Sequence, residues 1–164
     1  MVVLGVGNEL RHDDGAGLEV LRRARALALP ASRADPASPI EFREHEGEAL
    51  ALLGVWEGAR AVVILDAVHG SGPVGTVQRF DVSRGALPAR LEGSSSTHAI
   101  TVAEAIELGR VLGRLPQHVV VYGVTGACFD AGRGLSAGLL DVVDPLALRV
   151  LEEARRLAAT LACP

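Results

Sequence analysis

The chain has little of several residue types whose abundance would mark a particular class of protein. Aromatic residues make up 3% of its 164 positions, so a core must be built from Val, Leu, Ile and Ala, and apolar residues as a whole supply 49%. Two cysteines, Cys128 and Cys163, are too few for a disulfide framework. The formal net charge is −4 and no basic patch stands out, which argues against nucleic acid as a partner.

Long apolar runs are also missing. No run reaches the roughly 18 residues that a membrane-spanning helix needs. The apolar start of the chain is short and lacks the preceding basic region of a signal peptide, so it is read as a first strand. We therefore expect no membrane partner and a cytoplasmic location, which the low cysteine content also favours. The length and the lack of repeats and linkers predict a single domain spanning residues 1–164.

Apolar runs alternate with segments of helical periodicity along the chain. Strands are expected at residues 1–7, 40–45, 61–65, 76–82 and 119–124, and helices at 15–29, 48–56 and 99–112, with one or two closing helices over 139–161. Three of the strands are continuous apolar runs, which is typical of strands buried on both faces, whereas 76–82 is expected at a sheet edge. The pattern predicts an α/β fold of three layers: a central, mostly parallel, twisted sheet, helices on both faces, and one antiparallel edge strand.

Polar residues follow two of these strands and precede one helix. Residues 5–17 read GVGNELRHDDGAG, and Asp13 or Asp14 is suited to cap the next helix. Asp66 directly follows the run AVVIL and is expected to end that strand, and His98 follows the polar run GSSST. Because parallel strands present their carboxyl ends at one edge of a sheet, Asp14, Asp66 and His98 are expected to meet there. Two carboxylates and one imidazole suit a divalent ion such as nickel or zinc, which would also remove the repulsion between the carboxylates.

Plainer interpretations of the same residues remain open at this point. Asp14 and Asp66 are each compatible with simple capping or turn formation, and a histidine at a helix start is often a surface residue. The pair Gly5 and Gly7 could begin a dinucleotide fingerprint, but residue 10 is leucine where the third glycine is required.

Nucleophilic catalysis is a further alternative for this sequence. Cys128 follows the last strand and could act with His98 or His45, although a half-buried structural thiol is the commoner role for such a residue. His12 and His69 flank the expected site and are read as solvent-facing.

Residues 5–17 resemble the N-terminal signature of the [NiFe]-hydrogenase maturation endopeptidases, G-x-G-N-x-L-x-x-D-[DE]-G-x-G, at every defined position. Three further stretches resemble family segments in the same order: VVILDAVHGSGPVGTV (62–77), SSTHAI (95–100) and VVVYGVTGACFDAGRGLSAGL (119–139). The chain departs from the family pattern at Thr125, where many relatives have glutamate, and at Ala137, where many have proline.

The resemblance implies an endopeptidase that removes a C-terminal extension from the large-subunit precursor of a [NiFe]-hydrogenase after nickel insertion. It implies that Asp14, Asp66 and His98 bind metal, and that the metal is the nickel carried by the substrate, although zinc or another divalent ion could occupy the site. It assigns no attacking nucleophile. A non-cleaving, nickel-sensing chaperone of the same precursor is the main alternative, and a nucleotide-binding protein is a weaker one.

Overall fold

A computed structural model describes residues 1–28, 40–70, 72–83, 85 and 102–162 of the chain. Within these residues the elements follow one another as strands alternating with helices. In order they are β1 (Val2–Val6), a 3₁₀ turn (His12–Gly15), α1 (Ala16–Ala28), β2 (Glu41–His45), α2 (Ala49–Val55), β3 (Ala61–His69), β4 (Val77–Asp81), α3 (Val102–Val111), β5 (His118–Gly126) and α4 (Ala137–Ala162).

The five strands form one sheet in the order β2-β1-β3-β5-β4. β1 pairs in parallel with β2 and with β3, and β3 pairs in parallel with β5, whereas β4 runs antiparallel to β5 at one edge. The predicted α/β class, the mostly parallel sheet and the antiparallel edge strand are therefore confirmed. No helix in the described ranges has the length and apolar character needed to cross a bilayer.

Alternation along the strands divides the core into two layers. In β1, Leu4 packs on the side that α2 and α3 cover, and Val3 packs on the side that α1 and α4 cover. β3 divides in the same way, with Ile64 in the first layer and Val63 in the second. Successive side chains of a strand point to opposite faces, so helices on both sides bury both faces of the central strands.

Glycines allow α1 to lie directly against the backbone of the sheet. A Cβ on Gly17 would lie 2.4 Å from the carbonyl oxygen of Leu65 and 2.5 Å from that of Val6, and one on Gly5 would lie 2.7 Å from the carbonyl oxygen of Gly17. Contacts this short leave no room for a side chain. The amino end of α1 is thus held at the point where β1 ends, beside β3.

Several boundaries differ from those that the sequence predicts. β3 does not end at Asp66 but continues to His69, because β5 remains paired with it as far as Gly126. The neighbouring β1 pairs with β3 only as far as Gly5 and Leu65, so Asp66 lies just beyond the last β1–β3 pair while still inside β3. α4 is one helix that includes Pro145. The first residues of the expected 99–112 helix, 99–101, lie outside the described residues.

Candidate functional site

The carboxyl edge of the sheet has a step, the opening, where β1 ends and its neighbour β3 continues. β3 and β5 each span nine residues, whereas β1 spans five and leaves the sheet at Gly7. The chain passes from β1 to β2 on one side and returns to β3 on the other, which makes the boundary of β1 and β3 a topological switch point. In open α/β sheets ligands bind at such points, outside the carboxyl ends of the strands.

The rim turn, residues 8–15, forms one side of this opening. It follows Gly7, whose φ of +143° is a backbone conformation that residues with a side chain rarely adopt. A Cβ on Gly7 would lie 1.8 Å from the carbonyl oxygen of Asp14. The side chain of Asn8 accepts a hydrogen bond from the amide of Leu10 (2.9 Å), as the sequence predicts for an asparagine in a tight turn. The turn therefore folds back until Asp14 lies against the end of β1.

Asp14 and Asp66 are brought together across the opening. The Asp14 carboxylate accepts a hydrogen bond on Oδ2 from the amide of Asn8 (2.8 Å). Burial, and after it the negative charge of Asp14, raise the pKa of Asp66 to about 7 against the opposing effect of a hydrogen bond from the amide of Ala67. The two carboxylates thus share one electrostatic environment, in which a cation would be favourable.

The other acidic residue of the rim turn, Asp13, points into the protein. Its side chain is fully buried, and its carboxylate accepts hydrogen bonds from the amides of Ala127 (2.8 Å), Cys128 (3.0 Å) and Ser136 (2.7 Å) and from the Ser136 hydroxyl (2.7 Å). Burial alone would raise the pKa of Asp13, but these four bonds to the charged form lower it below its ordinary value. The expectation that Asp13 or Asp14 caps α1 is wrong, since each carboxylate binds backbone outside that helix.

His98 lies outside the described residues, so the structure does not test its predicted place. Among the described residues there is no group of three or more His, Cys, Asp or Glu side chains that could hold a metal ion. α3 lies on the sheet face towards which the alternation of β3 directs Asp66. Because α3 leads into β5, which begins at His118, α3 begins towards the carboxyl edge of the sheet.

The remaining candidates lie beside the opening. The exposed ring of His69 stacks on Phe129 with 3.9 Å between ring centroids, and His12 is half-buried, with Nδ1 3.3 Å from the carbonyl oxygen of Gly134. His45 accepts a hydrogen bond on Nδ1 from the amide of Gly47 (2.9 Å). Cys128 is a half-buried free thiol, and its amide is one of the donors to Asp13. His69 is thus exposed, as the sequence predicts, whereas His12 is only partly so.

A family model described as hydrogenase maturation protease matches residues 47–153 of the chain. The chain belongs to the hydrogenase maturation protease family. A Methanocaldococcus jannaschii protein that carries this family name provisionally is 28% identical over 159 residues, which cover 95% of this chain and 97% of that protein.

Solved structures of family members share the fold. The hydrogenase-maturating endopeptidase HybD of Escherichia coli superimposes with a TM-score of 0.73 at 23% identity, covering 94% of this chain and 91% of HybD. The [NiFe]-hydrogenase maturation protease HycI of Thermococcus kodakarensis gives a TM-score of 0.69 at 21% identity, again covering 94% and 91%. At these identities the likeness shows the three-layer architecture and not the chemistry of the site.

Membership of the family assigns the chain to the proteases of hydrogenase maturation. Asp66 and His98 fall inside the segment that the family model matches, whereas Asp14 precedes it and lies in the part of the chain covered by the Methanocaldococcus jannaschii relative. The sequence did not reveal the contact between Asp13 and Ser136. Its only signals were an aspartate directly before Asp14 and a serine directly before the last helix, and neither residue by itself indicates that the two are in contact.

Proposed function

We propose that this protein cleaves the large-subunit precursor of a [NiFe]-hydrogenase near its carboxyl terminus, after nickel has been inserted into that precursor. The observation that carries the proposal is the meeting of Asp14 and Asp66 at the switch point of the sheet, in a chain of the hydrogenase maturation protease family. In this proposal Asp14, Asp66 and His98 contact the nickel that the substrate brings.

The donor set fits a cation that arrives with the substrate. The mutual repulsion of Asp14 and Asp66 disfavours two negative charges in the free protein, and a divalent ion would reverse that cost. Of the two Asp14 oxygens, Oδ2 accepts a bond from Asn8, and within the described ranges Oδ1 has no hydrogen-bond partner and is free for an ion. Carboxylates and one imidazole, without thiolate, hold nickel weakly, which suits recognition of a metal already ligated by another protein.

The roles of the chain's own residues follow from this arrangement. Asp66 gives up its proton when the cation arrives and supplies a carboxylate oxygen. Asp14 supplies a second oxygen from the opposite side, in an orientation fixed by the amide of Asn8. Nickel held by the substrate would supply a Lewis acid beside the scissile peptide or a water molecule. Recognition of nickel and cleavage are thereby coupled, since both require the same two carboxylates.

The test is incubation of the purified protein with nickel-loaded large-subunit precursor, followed by intact-mass measurement of the product. We expect a single shortened species and a released C-terminal peptide. Precursor prepared without nickel should stay uncut, and the Asp66→Ala variant should leave the loaded precursor uncut. The Asp81→Ala variant is the matched control, because Asp81 is an exposed carboxylate on the edge strand β4, away from the opening.

Two experimental results would contradict this proposal. Stable binding of loaded precursor without any change in its mass would indicate a nickel-sensing chaperone. Cleavage of the nickel-free precursor at the same rate would remove the role of nickel. Nucleotide binding is disfavoured by the site itself, because the Asp14 carboxylate, in the turn that leads into α1, would repel a phosphate approaching the amino end of that helix.

A further inference from the structure

The two adjacent aspartates of the rim turn face different surroundings. Asp14 lies at the opening, where its charge acts on Asp66. Asp13, one residue earlier, is buried and accepts four hydrogen bonds from the rim loop, residues 127–136, which connects β5 to α4. A buried carboxylate with four donors is held in one orientation. The residue that follows it in a single 3₁₀ turn therefore has little freedom of its own.

Backbone contacts fasten the rim turn and the rim loop to each other around Asp13. The Asp13 amide donates to the carbonyl oxygen of Cys128 (3.0 Å), and the Gly132 amide donates to the carbonyl oxygen of Leu10 (2.8 Å). The guanidinium of Arg11 donates from Nε and Nη2 to the carbonyl oxygen of Phe129 (3.1 and 3.0 Å). The two segments are thus one paired unit, although more than a hundred residues of chain lie between them.

A glycine at the end of β5 makes room for this contact. A Cβ on Gly126 would lie 2.9 Å from the Cβ of Asp13 and 2.7 Å from the ring of Phe129. Asp13 is therefore packed directly against the backbone of β5, at the strand end beside the one that carries Asp66. The contact of Asp13 with β5 therefore fixes the rim turn against the sheet, in addition to its connection to α1.

We propose that Asp13 is a positioning residue: by anchoring the rim turn to the rim loop, it holds the Asp14 carboxylate in place opposite Asp66 for the ion that both contact. This inference rests on the proposed function for the identity of the ion, but its geometric part stands alone. Asp13 itself contacts no substrate. Its effect passes through the peptide that joins it to Asp14 and through the hydrogen bond from the Asn8 amide to Asp14 Oδ2.

The Asp13→Asn variant separates positioning from simple stability. An amide has one oxygen where the carboxylate has two, so its NH₂ group must face either the Ser136 amide, which bonds to Oδ1, or the three donors at Oδ2, which are the amides of Ala127 and Cys128 and the Ser136 hydroxyl. Ser136→Ala removes the hydroxyl bond and leaves the Ser136 amide bond in place. Glu153→Gln is the matched control, because it changes another buried carboxylate, in the later part of α4 and away from the opening.

Two measurements below the melting temperature test the inference. In Asp13→Asn, residue-resolved amide exchange should accelerate at Asn8, to which Asp13 makes no bond, as well as at Ala127 and Cys128. Calorimetric titration with Ni²⁺ should show a dissociation constant raised by roughly 10- to 100-fold at unchanged stoichiometry. Ser136→Ala should raise the constant by a smaller factor, and Glu153→Gln should lower the melting temperature without changing the constant.

Contrary results are equally specific. A fall in stoichiometry at an unchanged dissociation constant would mean that Asp13 only stabilises the fold, and unaltered exchange at Asn8 would also overturn the inference. If Asp13→Asn does not fold, Ser136→Ala decides, since an unchanged constant in that variant contradicts the anchoring role. Should the wild type leave the precursor uncut, the proposed function fails, and the exchange at Asn8 still tests the role of Asp13 separately.

Discussion

Asp14 acts on Asp66 across the end of β1: burial raises the pKa of the Asp66 carboxyl to about 7, and the charge of Asp14 contributes to that rise. The two residues belong to different loops and strands, and the fold brings them together only because β1 stops at Gly7 while β3 continues. In the proposed function this is the pair of carboxylates that the cation contacts.

The raised pKa of Asp66 predicts a stability cost at neutral pH. Because the pKa of the folded state lies above the ordinary value of 3.8, the folded protein binds more protons between pH 3.8 and about 7, and stability falls as pH rises through that window. Asp66→Asn should therefore be more stable than the wild type at pH 8, by about 1–2 kcal/mol for this partly exposed carboxyl, and equal to it near pH 4. Urea unfolding at the two pH values measures both differences.

Asp81→Asn is a control in which the change in unfolding free energy at pH 8 is expected to have the opposite sign. Hydrogen bonds from Ser83 lower the pKa of Asp81, so its contribution to stability is present above pH 3.8 and is lost as pH falls through the lower folded value. The Asp81→Asn variant should be less stable than the wild type at pH 8. A gain in both variants would show a general effect of removing negative charge from an acidic protein and not a local cost at Asp66.

Ion binding should depend on pH in the same range. A proton on Asp66 competes with a cation, and His98 must also be neutral to act as a ligand, with an unperturbed pKa of about 6.5. The affinity of the isolated protein for Ni²⁺ should therefore decline as pH falls from 8 through 7 to 6. Calorimetric titrations across that range measure the decline, and an affinity that stays constant to pH 6 would place the ion elsewhere.

His98→Ala tests the third ligand. We expect it to remove most of the Ni²⁺ affinity while the melting temperature stays nearly unchanged, because a histidine in a polar segment before a helix adds little to a core. The His45→Ala variant is a matched control, since its imidazole accepts a bond from the amide of Gly47 and is not part of the proposed set. Wild-type affinity in His98→Ala, or an equal loss in both variants, would reject His98 as a ligand.

The sequence was sufficient for the architecture, whereas the metal site of Asp14, Asp66 and His98 stays a prediction. Continuous apolar runs identified β3 and β5, and the meeting of Asp14 and Asp66 followed from the rule for carboxyl ends of parallel strands. The extent of β3 beyond Asp66 could not be predicted, because it depends on pairing with β5 as far as Gly126, a long-range contact. The burial of Asp13 was hidden for the same reason: its partners lie in the rim loop, and local turn chemistry suggested a helix cap instead.

Gly7 should tolerate no side chain. A Cβ there would lie 1.8 Å from the carbonyl oxygen of Asp14, a backbone atom that cannot move without displacing the rim turn, and the φ of +143° is itself unfavourable for alanine. We expect Gly7→Ala to cost about 3 kcal/mol or more. Gly54→Ala is the control: Gly54 lies in α2 with nothing within 4 Å of an added Cβ, so alanine should stabilise that helix by about 0.5–1 kcal/mol. Similar unfolding free energies for the two variants would contradict the close approach at Gly7.

A buried ion pair ties the edge strand to the last helix and should dominate the acid sensitivity of that region. Glu153 on α4 accepts hydrogen bonds from Nε and Nη2 of Arg79 on β4 (3.0 and 3.1 Å), from the Tyr122 hydroxyl (3.2 Å) and from Arg156. Burial alone would raise the pKa of Glu153, but the bonds from the two arginines lower it below 4.5. Its contribution is therefore complete above pH 4.5 and is lost as pH falls through the lower folded value.

Glu153→Gln should accordingly destabilise the protein at pH 7 by about 2–3 kcal/mol, less than for a fully buried pair because Arg79 and Arg156 reach solvent. The difference from the wild type should shrink as pH is lowered from 5 towards 3, and urea unfolding across that range measures it. Arg23→Gln is the comparison, since its pair with Asp144 also reaches α4 but is exposed on both sides, and its loss should cost under about 1 kcal/mol. Equal costs for the two variants would mean that burial adds nothing to the Glu153 pair, and a Glu153→Gln difference that persists at pH 3 would mean that the loss comes from packing and not from charge.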